Sequence, residues 1–453
     1  MSTLTSIPSL DRVYAHHVNP QWVRLLDLLQ MNVSYERCSG AELQTSDGRS
    51  VLDFLSGYCV HNTGHNHPAI AAALKEELDR SGPAMLQSHV PQLAAELAQR
   101  LSQLAGGRLQ RVFFTNSGSE GVETAIKFSR AHTRREGLLY AKGAFHGLTC
   151  GALSLMSDTY WRDGFGELLP GTQGIPFEDL DALRNALSTR RFAAFVVEPV
   201  QSEGGVRVPD RSYLQGAQEL CRRYGTLFVL DEVQTGMFRT GKFLAAQHFE
   251  LEPDLVILAK ALSGGLIPVG AVLMSEAVSD SVFRSMKHAF VHASTFGENA
   301  LAMRAGLATL DVLEQEGLGG RAEHMGELLR RKLGEALSDF DMVEGVRGIG
   351  LLNGIAFKTP RHLRLRIPFE AFHRIHPAMF GQVMVMRLFR DFHVLTQICG
   401  NSFQVLKAAP PLTVSETQVA EYVSAVQQVV EIAHHPGEFW SEALGMAKRA
   451  ALG

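Results

Sequence analysis

The chain lacks several features that would point away from a globular enzyme. Lys and Arg number 43 and Asp and Glu 47 in 453 residues, for a net charge of −4. A nucleic-acid partner normally calls for a strongly basic face, so none is expected. There are only five cysteines, Cys38, Cys59, Cys150, Cys221 and Cys399, with no Cys-x-x-Cys pair. An odd, scattered set argues against a disulfide framework and for reduced thiols in the cytoplasm. No apolar window approaches the ~18 residues of a membrane span. The opening MSTLTSIPSLDRVYAHH has no basic segment followed by an apolar stretch, so no signal peptide is expected. Internal repeats and low-complexity segments are also absent.

What remains is an ordinary globular composition, 45% hydrophobic and 20% charged. Its length exceeds one ordinary core and implies two or three domains. Residues 1–50 hold a helical piece, NPQWVRLLDLLQ (19–30). A hairpin-like AELQTSDGRSVLDF (41–54) follows, turning at Asp47-Gly48. From about 70 to 305, short apolar runs alternate with amphipathic helices: VFFT (112–115), LLYAKG (138–143), AAFVVEP (193–199), TLFVLDE (226–232), LVILAK (255–260) and VGAVLM (269–274). Continuous apolar strands alternating with helices predict a mostly parallel α/β sheet covered on both faces. Residues 306–453 read differently, with long helices over 306–337 and 413–434 flanking strands near 351–357 and 393–399. The expected organisation is an N-terminal segment (1–69) packing with a smaller α+β domain (306–453), and a large domain (70–305) between them.

Ligands of such sheets bind beyond the carboxyl ends of the strands. There the sequence places Ser117-Gly118-Ser119 opening a helix, Phe145-His146, Glu198, Asp231 with Val233 and Gln234, and Lys260. Each has an unremarked structural use: a helix cap, core filling, an ion pair, a lysine reaching to solvent. Together they describe one ligand, with a phosphate cradle at a helix N-terminus, a flat ring for stacking, a carboxylate for a protonated ring nitrogen, and an amine for a carbonyl carbon. That ligand is pyridoxal 5′-phosphate.

The stretches NTGHNHP (62–68), TNSGSEGVETAIKFSR (115–130), AFHG (144–147), VVEPVQSEGG (196–205), LDEVQTGMFRTGKF (230–243), AKALSGGLIPVGAV (259–272) and STFGENALA (294–302) resemble the class III aminotransferases. These are fold type I pyridoxal-phosphate transferases, and the resemblance extends over residues 40–435. It implies a seven-stranded-type sheet flanked by helices, with a smaller domain built from both termini. It implies that Lys260 forms the Schiff base, Asp231 meets the pyridine N–H, and Gln234 lies near the phenolic oxygen. Phe145 and Val233 would hold the two ring faces, with His146 and Glu198 beside the cofactor. Ser117, Gly118 and Ser119 would bind the phosphate. Thr295 would reach it across a homodimer interface, so that the partner subunit's Thr295 completes each site. The implied reaction moves an amino group between a terminal amine or aldehyde and a keto acid such as 2-oxoglutarate or pyruvate, through pyridoxamine phosphate. The same fold also supports aminomutases, racemases and decarboxylases, because function lives in the pocket.

Three departures bear on the substrate. Leu148 stands where relatives acting on ω-amino acids carry an arginine, and leucine cannot pair with a carboxylate. Lys407 stands where the family usually has arginine for the keto acid's carboxylate. The resemblance implies that Glu203 would pair with Lys407 while an amine is bound, and that Tyr58 would face the substrate. Finally, residues 361–393 are rich in Phe, Met, Arg and His. They read either as a core-facing helix or as a hydrophobic entrance for a long-chain amine.

Overall fold

A computed structural model describes residues 10–86, 88–435 and 437–451. The first nine residues of the opening stretch lie outside them. The Asp47-Gly48 turn closes a meander of three antiparallel strands, β1 (Tyr35–Ser39), β2 (Glu42–Thr45) and β3 (Ser50–Asp53). Gly48 has φ +87°, the left-handed conformation for which glycine carries no Cβ penalty.

The main sheet contains β4 (Arg111–Thr115), β5 (Gly137–Ala141), β6 (Thr172–Ile175), β7 (Phe192–Val197), β8 (Leu227–Asp231), β9 (Leu255–Leu258) and β10 (Gly270–Met274), in the order β4-β10-β9-β8-β7-β5-β6. β10 runs antiparallel to both neighbours and every other pairing is parallel. Every residue of β5, β7, β8, β9 and β10 is buried, the result of helices covering both faces. β6 was not legible in the sequence. It is a half-exposed edge strand of four residues, TQGI, without an apolar run.

The third sheet joins β11 (Val343–Ile349), β12 (Leu352–Phe357), β14 (Ile398–Cys399) and β15 (Ser402–Ala408) in the order β11-β12-β15-β14; β13 (Val394–Leu395) instead pairs in parallel with β3. The helix expected over 306–337 is two helices, Ala300–Gln315 and Leu318–Leu337, broken at Gly317 with φ +60°. Segment 361–393 is likewise two helices, Leu363–Ile375 and Met379–Phe392. In the second of these, Met379, Met384 and Met386 are buried with Phe380, Leu388 and Phe389. These methionines are core filling and do not line the cavity described below, so the hydrophobic-entrance reading is set aside. Among the described residues no helix is long and apolar enough to cross a membrane.

One buried guanidinium ties these parts together. Arg239 is 0% exposed. Its Nη1 donates to the carbonyls of Leu351 and Pro410, and its Nη2 to Ser56 Oγ and Asn62 Oδ1. Ser56 Oγ in turn donates to Ala409 O, and Asn62 Nδ2 to Met237 O. Residues 56–62, 237–239, 351 and 409–410 are thereby joined. Backbone packing here is close: a Cβ on Gly350 would stand 2.6 Å from Thr240 Cα. Only a residue without a side chain fits.

A candidate active site at the strand ends

The carboxyl ends of the main-sheet strands open into a cavity of about 480 Å³. It is lined by Ser117, Gly118, Ser119, Phe145, His146, Glu198, Asp231, Val233, Gln234 and Lys260. Thr295 is exposed and lies elsewhere, beside a larger hollow of about 800 Å³ between residues 77–93 and 283–304. Tyr58, Glu203 and Lys407 do not line the cavity either, but form a cluster of their own. Asn116, Ser263 and Gly265 line it as well, in keeping with the strand-end position of Asn116 and with small residues after Lys260 letting the backbone turn close to the cofactor. The glycines after Lys260 were the available signal for Gly265.

Local geometry explains each position. Ser117 caps the 16-residue helix Gly118–Thr133 and accepts from Glu120 N at 3.2 Å. This leaves the first N–H groups of the helix without intrahelical partners and able to meet an anion. Gly118 is required by Val233, whose Cγ2 would stand 3.0 Å from a Cβ there. β9 ends at Leu258, and Lys260 begins a short 3₁₀ helix with φ +46°. A left-handed non-glycine residue costs roughly 1–2 kcal/mol, and here the cost accompanies an amine aimed into the cavity. Among the described residues no hydrogen bond or ion pair holds Lys260 Nζ.

The acid–base groups are strongly coupled. His146 Nδ1 lies 2.7 Å from Asp231 Oδ2, with both residues buried. Burial alone would pull the imidazole pKa down, but the hydrogen bond and charge of Asp231 outweigh it and the value is raised. The other ring nitrogen, His146 Nε2, is buried without a partner among the described residues. Burial also pushes Glu198 up to about 8, although it accepts from Phe145 N at 3.0 Å. Glu232, next to Asp231, is pushed by burial up to about 7 and holds the N–H groups of Ala245 and Ala246. Lys260 is lowered, chiefly by burial.

Glu203 and Lys407 form a direct ion pair, 6% and 0% exposed, so it is a buried pair and not a surface one. Burial would raise Glu203, yet the adjacent ammonium holds it below its ordinary value. For Lys407 burial works downward and Glu203 raises it overall, so both groups stay charged. Gly400 N and Gln234 Nε2 complete the carboxylate's shell at 2.8 and 3.1 Å. Lys407 Nζ also sits 4.9 Å from the centroid of the Tyr58 ring, within cation–π range. Tyr58 belongs to an uncommon run of left-handed residues, Ser56 to Cys59, with φ between 46° and 68°. Asp53 Oδ1 steadies the start of this run by accepting from Leu55 N and Ser56 N at 2.8 Å. Leu148 is 55% exposed.

This donor set fits pyridoxal phosphate. It combines a capped helix N-terminus, a Gly147 whose Cβ would collide with Ser119 Oγ, a buried His–Asp pair with one unpartnered nitrogen, and an unpaired buried amine. The raised carboxyls generate a pH dependence. Between the ordinary carboxylate value and about 8, Glu198 keeps its proton in the folded chain and has lost it in the unfolded chain. The folded state then binds more protons, so stability falls as pH rises through this window. Glu232 acts in the same direction up to about 7. Calorimetry of the cofactor-free protein should show Tm declining over this range, and Glu198→Gln should flatten the decline. An unchanged slope in that variant would contradict the assignment.

A sequence model of the family described as class-III aminotransferases matches residues 27–430. The aminotransferase PigE of Serratia sp. (strain ATCC 39006) is 36% identical over 93% of this chain. The match spans 53% of PigE, about half of that relative's length. The solved ornithine aminotransferase of Toxoplasma gondii ME49 is 30% identical over 88% of this chain and 90% of its own, with TM-score 0.78. An amine transaminase from an uncultivated Pseudomonas species, solved with pyridoxal phosphate bound, is 28% identical over 89% of this chain and 95% of its own, with TM-score 0.80. With the seven-stranded sheet, the strand-end cavity and a family match over most of its length, this chain belongs to the class III aminotransferases, pyridoxal-phosphate enzymes of fold type I.

Proposed function

We propose that the enzyme transfers an amino group from a terminal primary amine, or to the corresponding aldehyde, with a keto acid such as 2-oxoglutarate or pyruvate as the other partner, in two half-reactions. The observation that carries this reading is the unpaired, pKa-lowered amine of Lys260 facing the same cavity as the His146–Asp231 pair and the capped helix at Ser117.

Pyridoxal phosphate supplies an electrophilic carbonyl carbon and a ring that accepts the electron pair released when the donor's C–H bond breaks. The chain does the rest. Ser117, Gly118 and Ser119 bind the phosphate with backbone N–H groups and hydroxyls. Phe145 and Val233 hold the ring between them. Asp231, oriented by His146, would hold the ring nitrogen's proton. Glu198 lies against the same pair. Gln234 accepts from Ser202 Oγ at 2.9 Å, which fixes its amide for the ring oxygen. Lys260, its pKa lowered by burial, would hold the cofactor's carbonyl carbon until the donor amine displaces it, and the freed amine would then take the proton from the donor carbon as base and return it as acid.

The Glu203–Lys407 pair would select between half-reactions: closed while an amine is bound, opened when a keto acid brings its carboxylate to Lys407, with Tyr58 against the substrate. Lysine keeps the charge of the usual arginine without its planar fork. The exposed Leu148 favours donors with no carboxylate at that position. A second copy is proposed as well, its Thr295 segment covering the phosphate end of the cavity. The exposed Phe290 and Phe296 near that threonine support it. The division 1–69, 70–305 and 306–453 is our proposed domain organisation. Five unpaired cysteines favour a reducing compartment such as the cytoplasm.

Three outcomes are expected. Lys260→Ala abolishes turnover and the visible absorbance of the cofactor-loaded enzyme; full transaminase activity in this variant would refute the function. Lys407→Ala raises KM for the keto acid by about tenfold or more, the loss of one charged contact of about 1.5–3 kcal/mol, while KM for the amine changes far less. Equal effects on both would remove the switch. Light scattering gives at least twice the mass of one chain, and a monomer at working concentration would remove the shared site.

A further inference from the structure

One wall of the strand-end cavity is left unused by the proposed mechanism. Val60, Leu266, Ile267 and Pro268 line it. Each keeps part of its surface exposed, although Leu266 and Ile267 also pack against the main core. Residues 266–268 follow the 3₁₀ helix Lys260–Ser263, so the segment that carries the reacting amine carries this wall as well. The turn between them is tight, with φ +63° at Gly264 and +83° at Gly265, and Leu266 N donates to Ser263 O at 3.3 Å. It is pressed against the segment before it: a Cβ on Gly265 would stand 2.9 Å from Val60 Cγ1 and collide with His61 Nδ1. That close approach joins Val60 to the 266–268 stretch in one apolar face. Downstream the stretch is anchored by β10, which begins at Gly270.

The charges of the cavity already have tasks. Its ionisable lining residues are His146, Glu198, Asp231 and Lys260, all placed at the cofactor by the proposed function. Among the described residues no arginine and no second lysine lines it. Lys407 and Arg239 lie outside it, the first paired with Glu203 and the second donating to four acceptors. We propose that Val60, Leu266 and Ile267 are specificity-determining residues for the amine donor: their apolar face takes the chain of a primary alkylamine without a second charged group and disfavours an ω-amino acid. The inference rests on the proposed function, since the donor must enter this cavity to reach Lys260 while the cofactor occupies the polar side at Ser117, His146 and Asp231. Methylene groups laid on the face leave water favourably. A carboxylate at the same place is desolvated with no cation to meet it, which is costly.

The test measures kcat/KM of the cofactor-loaded enzyme for straight-chain primary alkylamines of increasing length and for ω-amino acids of matched length. Wild type should gain about threefold per added methylene and prefer each alkylamine over its ω-amino acid by about tenfold or more. Leu266→Ala and Ile267→Ala cut the face back and should flatten the gain to below about twofold per methylene. Ile267→Arg sets a cation on the face and should shift the preference toward the ω-amino acid by about tenfold or more. A wild-type preference for ω-amino acids, a length dependence that neither alanine variant changes, or an unmoved preference in Ile267→Arg overturns the proposal and leaves the aminotransferase reading intact. A wild-type enzyme that takes no amino group from any primary amine, with or without a carboxylate, overturns both. A second readout needs no turnover. All three variants should load pyridoxal phosphate into the cofactor-free protein with wild-type affinity, followed by the cofactor's absorbance. Loss of cofactor binding in Ile267→Ala would make this wall part of the cofactor site and overturn the proposal.

Discussion

A single guanidinium buried without a carboxylate partner is the constraint on which the architecture turns. A charge removed from water is costly unless its hydrogen-bonding capacity is met. Arg239 meets most of its need with two backbone carbonyls, a hydroxyl and a side-chain amide drawn from three separate stretches of chain, with its Nε alone unpartnered among the described residues. None of those stretches can move away without exposing a buried donor. The left-handed run Ser56–Cys59 is held from the same point, and that run carries Tyr58 to the Lys407 ammonium. The geometry of the outer site thus descends from a residue that touches none of its chemistry.

The two lysines of the site show how environment separates like groups. Both are enclosed, so desolvation acts on both to disfavour charge. Lys407 has a carboxylate in direct contact, and the pair remains ionised because each partner stabilises the other. Lys260 has no such contact, and burial lowers it. One amine is kept as a charge and the other is made available as a nucleophile, by placement alone. Among the carboxyls, Asp231 has His146 in direct contact, whereas burial drives Glu198 toward its neutral form.

Much of this was legible in the sequence because strand ends in an α/β sheet carry chemistry at predictable places. The apolar runs at 112–115, 193–199, 226–232 and 255–260 announced buried strands, and the polar residues that follow them meet at one cavity. Short or polar elements were not legible. β6 is four residues without an apolar run, and β11 and β15 are only partly buried. The break at Gly317 was hidden because apolar periodicity continues on both sides of it. Segment 361–393 left two readings open in the sequence, and in the fold the core-facing one holds, its methionines packing with Phe380 and Leu388.

By itself the sequence determined the class of fold, the family and the set of polar residues gathered at the strand ends, because these depend on local patterns of burial and on short motifs. Only the tertiary structure decided what those groups are to one another. Lys407 lies 204 residues from Glu203, and Arg239 reaches 171 residues to Pro410. Contacts at such separations leave no periodicity in the chain. They arise when strands and turns from distant segments pack side by side, and burial then sets which amine is paired and which carboxyl keeps its proton.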